Sequence, residues 1–168
     1  MDGSIAPWEA WVRTTWLSKT VLANFWLWPT LETLHYLGLC LLLGAVGLFD
    51  LRVLGLFKGL SPTALHRLVP VGVAGFGLNL VTGICFFAGY PEQYAYNNAF
   101  RVKLALMAVA AVNLVLFYST AFKNARATPA GASAPPLARV LAGVSLGCWL
   151  GVLTAGRLLT FFRPPFFH

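Results

Sequence analysis

Residues 31–57 read LETLHYLGLCLLLGAVGLFDLRVLGLF, and this stretch decides the fold. A spanning helix needs about 20 consecutive, mostly apolar residues. The stretch meets that length with only Glu32, His35, Asp50 and Arg52 as charged or imidazole side chains. Three more stretches behave alike: 69–90, 100–122 and 138–162. The chain is 58% hydrophobic and 10% charged, whereas a soluble domain carries roughly 25% charged residues. In lipid every backbone donor needs an internal partner, so only helices and closed barrels span. These runs are too long and continuous for barrel strands. An all-α polytopic membrane protein is expected, a single membrane domain over 1–168 built as an up-down four-transmembrane-helix bundle.

The connections 58–68, 91–99 and 123–137 are short, so both termini fall on one side, A, and the first and third loops on side B. The first thirty residues lack the basic start, apolar core and small-residue cleavage site of a signal peptide. Pro7 suits the first position of a helix. Trp8, Trp11, Trp16, Trp26 and Trp28 follow, and tryptophan favours the headgroup level. Residues 7–28 therefore read as an interfacial amphipathic helix on the membrane, turning at Pro29 into the first span. Lys58, Arg67, Lys123, Arg126 and Arg139 on side B slightly outnumber Arg13, Lys19, Arg101 and Arg163 on side A. The positive-inside rule then makes B cytoplasmic and the termini periplasmic. The net charge of +7 reflects these loops and gives no reason to infer nucleic acid. Cys40, Cys85 and Cys148 sit singly within spans and form no C-x-x-C pair, which argues against disulfides or zinc.

Small residues mark helix contacts in membranes. Gly143, Gly147 and Gly151 form a tandem GxxxG in the fourth span, a packing face or a route to a homo-oligomer or larger complex. Gly72, Gly75, Asn79 and Gly83 mark one face of the second span, for close packing or for a flat cofactor. Asn79 and Asn113 lie at equal depth, about 18 Å from side A at helical rise, and are expected to bond to each other. Asp50 is expected to meet a cation from another helix or the linker, and Arg52 to snorkel to side B.

The chemistry concentrates near side A. Threading the hairpins brings His35, Lys103 and Arg157 to one depth, with Glu32 one turn before His35. Ionisable groups in hydrocarbon are expensive and usually functional. An imidazole beside basic groups is the pattern a b-type haem needs: His35 as axial metal ligand, Lys103 and Arg157 for propionates, and Glu32 orienting His35 through its other ring nitrogen. His66 lies on side B, about 20 Å away along the normal, and cannot share an iron with His35. Met107, one turn below Lys103, is a candidate second ligand; His168 reaches only by folding back; a five-coordinate iron or ligation by Lys103 stays open. Glu32-x-x-His35 has the spacing of di-iron bundles, but those need two such motifs and two further Glu.

The segments LETLHYLGLCLLLGAVGLFDLRVLG, LVTGICFFAG, NNAFRVKLAL and WLGVLTAGR together resemble an uncharacterised bacterial family of four-span inner-membrane proteins. More distantly, the chain is similar to CopD-type copper-resistance membrane domains and HemJ-type protoporphyrinogen oxidases. The shared features are a first-span His, a second-span Thr-Gly and a third-span Lys-Leu, here His35, Thr82-Gly83 and Lys103-Leu104. The HemJ likeness implies a haem-binding bundle using His35 and Lys103; the CopD likeness implies copper handling, although only two Met are present. Where members of the closer family carry a His at the end of the third span, this chain has Phe117-Tyr118. Three functions follow as expectations: a haem b electron-transfer or redox subunit working with a quinone or a redox partner protein; a cofactor-free accessory or anchor subunit; and a copper-handling or transport element. If the chain is an enzyme, it is a haem-dependent oxidoreductase.

Overall fold

A computed structural model describes residues 6–162, and within them every regular element is helical. Two short helices, α1 (Pro7–Thr14) and α2 (Trp16–Ala23), precede the first span, α3 (Leu27–Leu54). α4 (Pro62–His66) and α5 (Val69–Gly89) build the second span, and α6 (Pro91–Ala95) caps the following loop. α7 (Asn98–Leu116), a π-helical turn (Phe117–Ala121) and α8 (Phe122–Arg126) build the third; α9 (Pro136–Leu158) is the fourth. Four helical segments are long and apolar enough to cross a bilayer. The chain is a multi-pass membrane protein.

Local chemistry sets the boundaries. The first span starts a turn before residue 31, because Pro29 sits in its first turn, where its missing N–H is not needed. It stops at Gly55, whose φ of 107° lets Leu56 N–H donate to the Leu51 carbonyl at 3.0 Å. The expected interfacial helix is two helices. Thr15 is extended between them, and its hydroxyl accepts from Ser18 N–H at 3.3 Å. Trp11, Trp16 and Trp26 stay outward at 68%, 77% and 74% exposure. Val21 is buried against Gly89 and Trp28, which ties α2 to the side-A end of α5.

α3 packs along α5, and α9 packs along both α3 and α7. The α3–α5 approach is close because both partners are glycine there: a Cβ at Gly75 would lie 2.6 Å from the Gly38 carbonyl oxygen. The tandem GxxxG does not act as one face. A Cβ at Gly151 would meet Leu106 of α7 at 2.8 Å and one at Gly143 would meet Leu54 at 3.8 Å, while nothing lies within 4 Å at Gly147. The side-B core gathers Phe49, Val53, Leu65 and Phe117 around the alanines of α8 and α9.

Arg52 corrects the snorkelling expectation. It is fully buried and donates to the carbonyls of Leu60 (2.6 Å), Pro129 (3.2 Å) and Ala132 (3.4 Å). Both side-B loops close over this one guanidinium, whose planar fork suits several acceptors at once. Asn97 does the equivalent on side A. It caps α7 by accepting from Ala99 N–H at 2.9 Å, and it donates to the carbonyls of Leu159 and Phe162 at 3.2 and 2.7 Å.

Candidate functional site

α5 and α7 make no extensive contact with each other, so a cleft runs between them with α3 and α9 as its back wall. Its rim residues Leu80, Ile84, Leu104 and Leu114 are about half exposed, which opens the cleft toward the acyl chains. Two chambers, of about 300 and 400 Å³, lie along it. Leu42, Phe76, Met107 and Trp149 line both. The Phe76 and Trp149 rings meet edge to face at 6.3 Å. Toward side A, Phe87 and Phe100 stack across the cleft at 6.3 Å, with Tyr94 behind them. Burial, and secondarily the Glu32 carboxylate, push the Tyr94 phenol up to about 12, so it stays protonated at neutral pH.

The upper chamber contains His35 and Lys103, as the sequence predicts. His35 Nδ1 lies 2.7 Å from the Thr82 hydroxyl, which is itself 2.8 Å from the Leu78 carbonyl and 3.2 Å from that of Asn79. Thr82 has one proton, and a carbonyl can only accept it. Where that proton goes to the helix carbonyl, the hydroxyl accepts from His35 Nδ1–H and Nε2 keeps its lone pair; where it goes to Nδ1, Nε2 carries the ring proton. Thr82 is 1% exposed and cannot turn to water instead. Phe86 packs edge-on to the imidazole at 5.4 Å and fixes its plane. Lys103 is half-buried and within electrostatic reach of His35, and its Nζ would lie 3.7 Å from a Cβ at Gly156. It has no carboxylate partner among the described residues. A Cβ at Gly83 would meet nothing within 4 Å, so α5 presents bare backbone to the chamber.

The remaining expectations for this cluster need correction. Glu32 is exposed and accepts from Trp28 Nε1–H at 3.1 Å, so Thr82 takes the orienting role expected of Glu32. Arg157 is exposed on α9 with its guanidinium 5.3 Å from the Phe161 ring centroid and does not line the chamber. Between described residues the one ion pair joins Arg13 to Glu92, outside the spans. Asn79 and Asn113 do not bond to each other, because the cleft separates their helices. Asn79 donates to Gly75 O at 2.9 Å and Asn113 to Leu141 O at 3.0 Å. Met107 lines the chambers at their junction, consistent with its place below Lys103. His168 and Arg163 lie outside the described residues.

The lower chamber was not legible as a site. Asp50 and Asn113 line it together with His66, Ser145, Phe117 and Tyr118. Asp50 is 6% exposed and meets no cation, contrary to expectation; Ser145 of α9 lines the chamber with it, and Oδ2 has no partner. His66 Nε2 lies 3.0 Å from the Tyr118 hydroxyl, which the π-helical turn carries, and its ring packs on Phe122 at 4.7 Å. The π turn is the signal that sequence reading missed: such turns are rare and frequent at functional sites. Among the described residues no three His, Cys, Asp or Glu side chains converge in a way that could hold a metal ion. The three cysteines are free.

No family model, no curated protein and no solved structure matches this chain.

Proposed function

We propose that this chain is a b-type haem-binding protein of the bacterial inner membrane, acting as an electron-transfer or redox subunit. The observation that carries the reading is His35, held by Thr82 on the wall of the upper chamber. Its Nδ1 lies 2.7 Å from the Thr82 hydroxyl, and the imidazole lines an apolar, laterally open chamber. A metal-ligating histidine characteristically donates its other ring N–H to an acceptor, which fixes the ring and raises its basicity. A porphyrin brings four ligands of its own, so one imidazole suffices where a bare metal site would need several side chains. Lys103, a cation without a carboxylate, suits a propionate. Met107 is a thioether on the same wall, available as a second ligand. The chamber, at about 300 Å³, sits at the lower end of the range of roughly 300–1,000 Å³ for small-molecule sites, and its open side leaves room for the edge of a larger ring. A bound haem would supply one-electron chemistry; the protein would hold it, orient the imidazole and exclude water.

A second reading is a cofactor-free accessory or anchor subunit. It draws on Gly147, exposed and uncontacted on α9, and on the outward Trp11 and Trp16, which leave surfaces for another membrane protein.

An absorption spectrum of the detergent-purified protein, oxidised and then dithionite-reduced, with a pyridine haemochrome assay, separates the two. The haem reading expects a Soret band, sharpened reduced α and β bands and near one haem per chain, abolished in His35→Ala. A colourless protein from haem-replete cells refutes it and directs effort to what co-purifies.

A further inference from the structure

We propose that the lower chamber binds a lipid-soluble quinone or its quinol, admitted from the bilayer between α5 and α7, with Asp50 as its hydrogen-bonding partner. This site lacks His35 and Lys103, and the proposal stands independently of haem.

Three observations lead to it. The first is Asp50, 6% exposed, with Oδ2 unpartnered on the wall of a chamber of about 400 Å³. A buried carboxylate oxygen without a hydrogen bond is costly. A ligand hydroxyl satisfies it, or a ligand carbonyl does when the carboxyl carries the proton. The second is the wall itself: Phe49, Phe76, Phe117, Tyr118 and Trp149 surround the space with rings. Stacked or edge-on aromatic walls suit a flat ring better than an acyl chain, which would also leave Asp50 unsatisfied. The polar groups on the wall are Asp50, Asn113 and Ser145, with His66 and Tyr118 3.0 Å apart. The third is access: Val73 and Leu114, 64% and 56% exposed, flank the opening, so the ligand must dissolve in lipid.

The test is equilibrium binding of tritiated decylubiquinone to the full chain in nanodiscs, with an azido-quinone analogue to map the site by cross-linking. Saturable binding is expected, with cross-links to residues that line the lower chamber alone, such as Phe49 or Phe117. Asp50→Leu should weaken affinity at least roughly tenfold, the loss of a hydrogen bond to a charged or acidic group. Ala111→Phe, at the exposed rim of the chamber, should block entry without touching Asp50, and it keeps the test decisive should Asp50→Leu misfold. Arg157→Ala should bind as wild type. The proposal fails if binding is not saturable or is indifferent to Ala111→Phe. It also fails if dodecylamine binds in an Asp50-dependent way while the quinone does not, since a lipophilic amine would then be the ligand class. Haem is assayed in the same samples. A colourless chain that binds quinone refutes the haem reading alone, and a haem-loaded chain that does not bind refutes this proposal alone.

Discussion

The two chambers of the cleft share four wall residues and differ in how their polar groups are satisfied. In the upper one, the histidine is held through Nδ1 by a threonine hydroxyl, and its ring lines the chamber. In the lower one, the histidine is capped by Tyr118, and a carboxylate oxygen is left without a partner. The first arrangement holds an imidazole on the chamber wall; the second presents an unpartnered carboxylate oxygen. A histidine in a membrane helix is therefore not a functional type by itself. The atom that holds its other nitrogen decides what it can do.

The largest expected effect breaks one side of this comparison. Arg52→Ala removes donors from three carbonyls of the side-B loops and the buried side chain that they close over. Hydrogen bonds to charged groups are worth roughly 1.5–3 kcal/mol each and leave a penalty when one partner is lost. A loss of about 3 kcal/mol or more is expected, read as a lowered Tm in detergent, with early proteolysis of the 123–137 linker. The lower chamber should lose its walls while the His35–Thr82 contact, at the far end of α3, survives.

A smaller change sharpens the upper side. Thr82→Val keeps shape but withdraws the hydroxyl that meets His35 Nδ1. Loss of such an outer partner typically weakens metal affinity about 10–100-fold. A haem titration should show that weakening with near-normal thermal stability, and Thr82→Ser should restore binding. Unchanged affinity in Thr82→Val would detach His35 from the site.

The asparagines test whether the chambers are separate. Asn79→Leu and Asn113→Leu should each cost on the order of 1 kcal/mol. Their effects in a double-mutant cycle should add within about 0.5 kcal/mol, as for sites without shared partners. A larger coupling would mean that the cleft closes and the amides meet. The smallest effect belongs to Arg157→Ala, whose exposed guanidinium rests on Phe161. Stability should change by no more than about 0.5 kcal/mol, and a reduced-minus-oxidised spectrum should be unaltered. A bleached spectrum would return Arg157 to the site.

Hydropathy alone determined the class, the four spans and their up-down order, because a bilayer leaves a long apolar run only one way to satisfy its backbone. Residue type and depth also selected His35 and Lys103, since both belong to expensive kinds of group placed where lipid should be. Tertiary structure decided which of the depth-matched groups face one another. Depth along a helix is legible from rise per residue, but azimuth is not, and azimuth turned Arg157 and Glu32 outward. The close glycine contact of α3 and α5 set the partner of His35 as Thr82, which the sequence marked through the Thr-Gly of the resemblance without tying it to the histidine. Separation of α5 from α7 opened the cleft and kept Asn79 from Asn113. Burial of Arg52 under two loops that are distant in sequence depended on their meeting in space, which no spacing along the chain encodes.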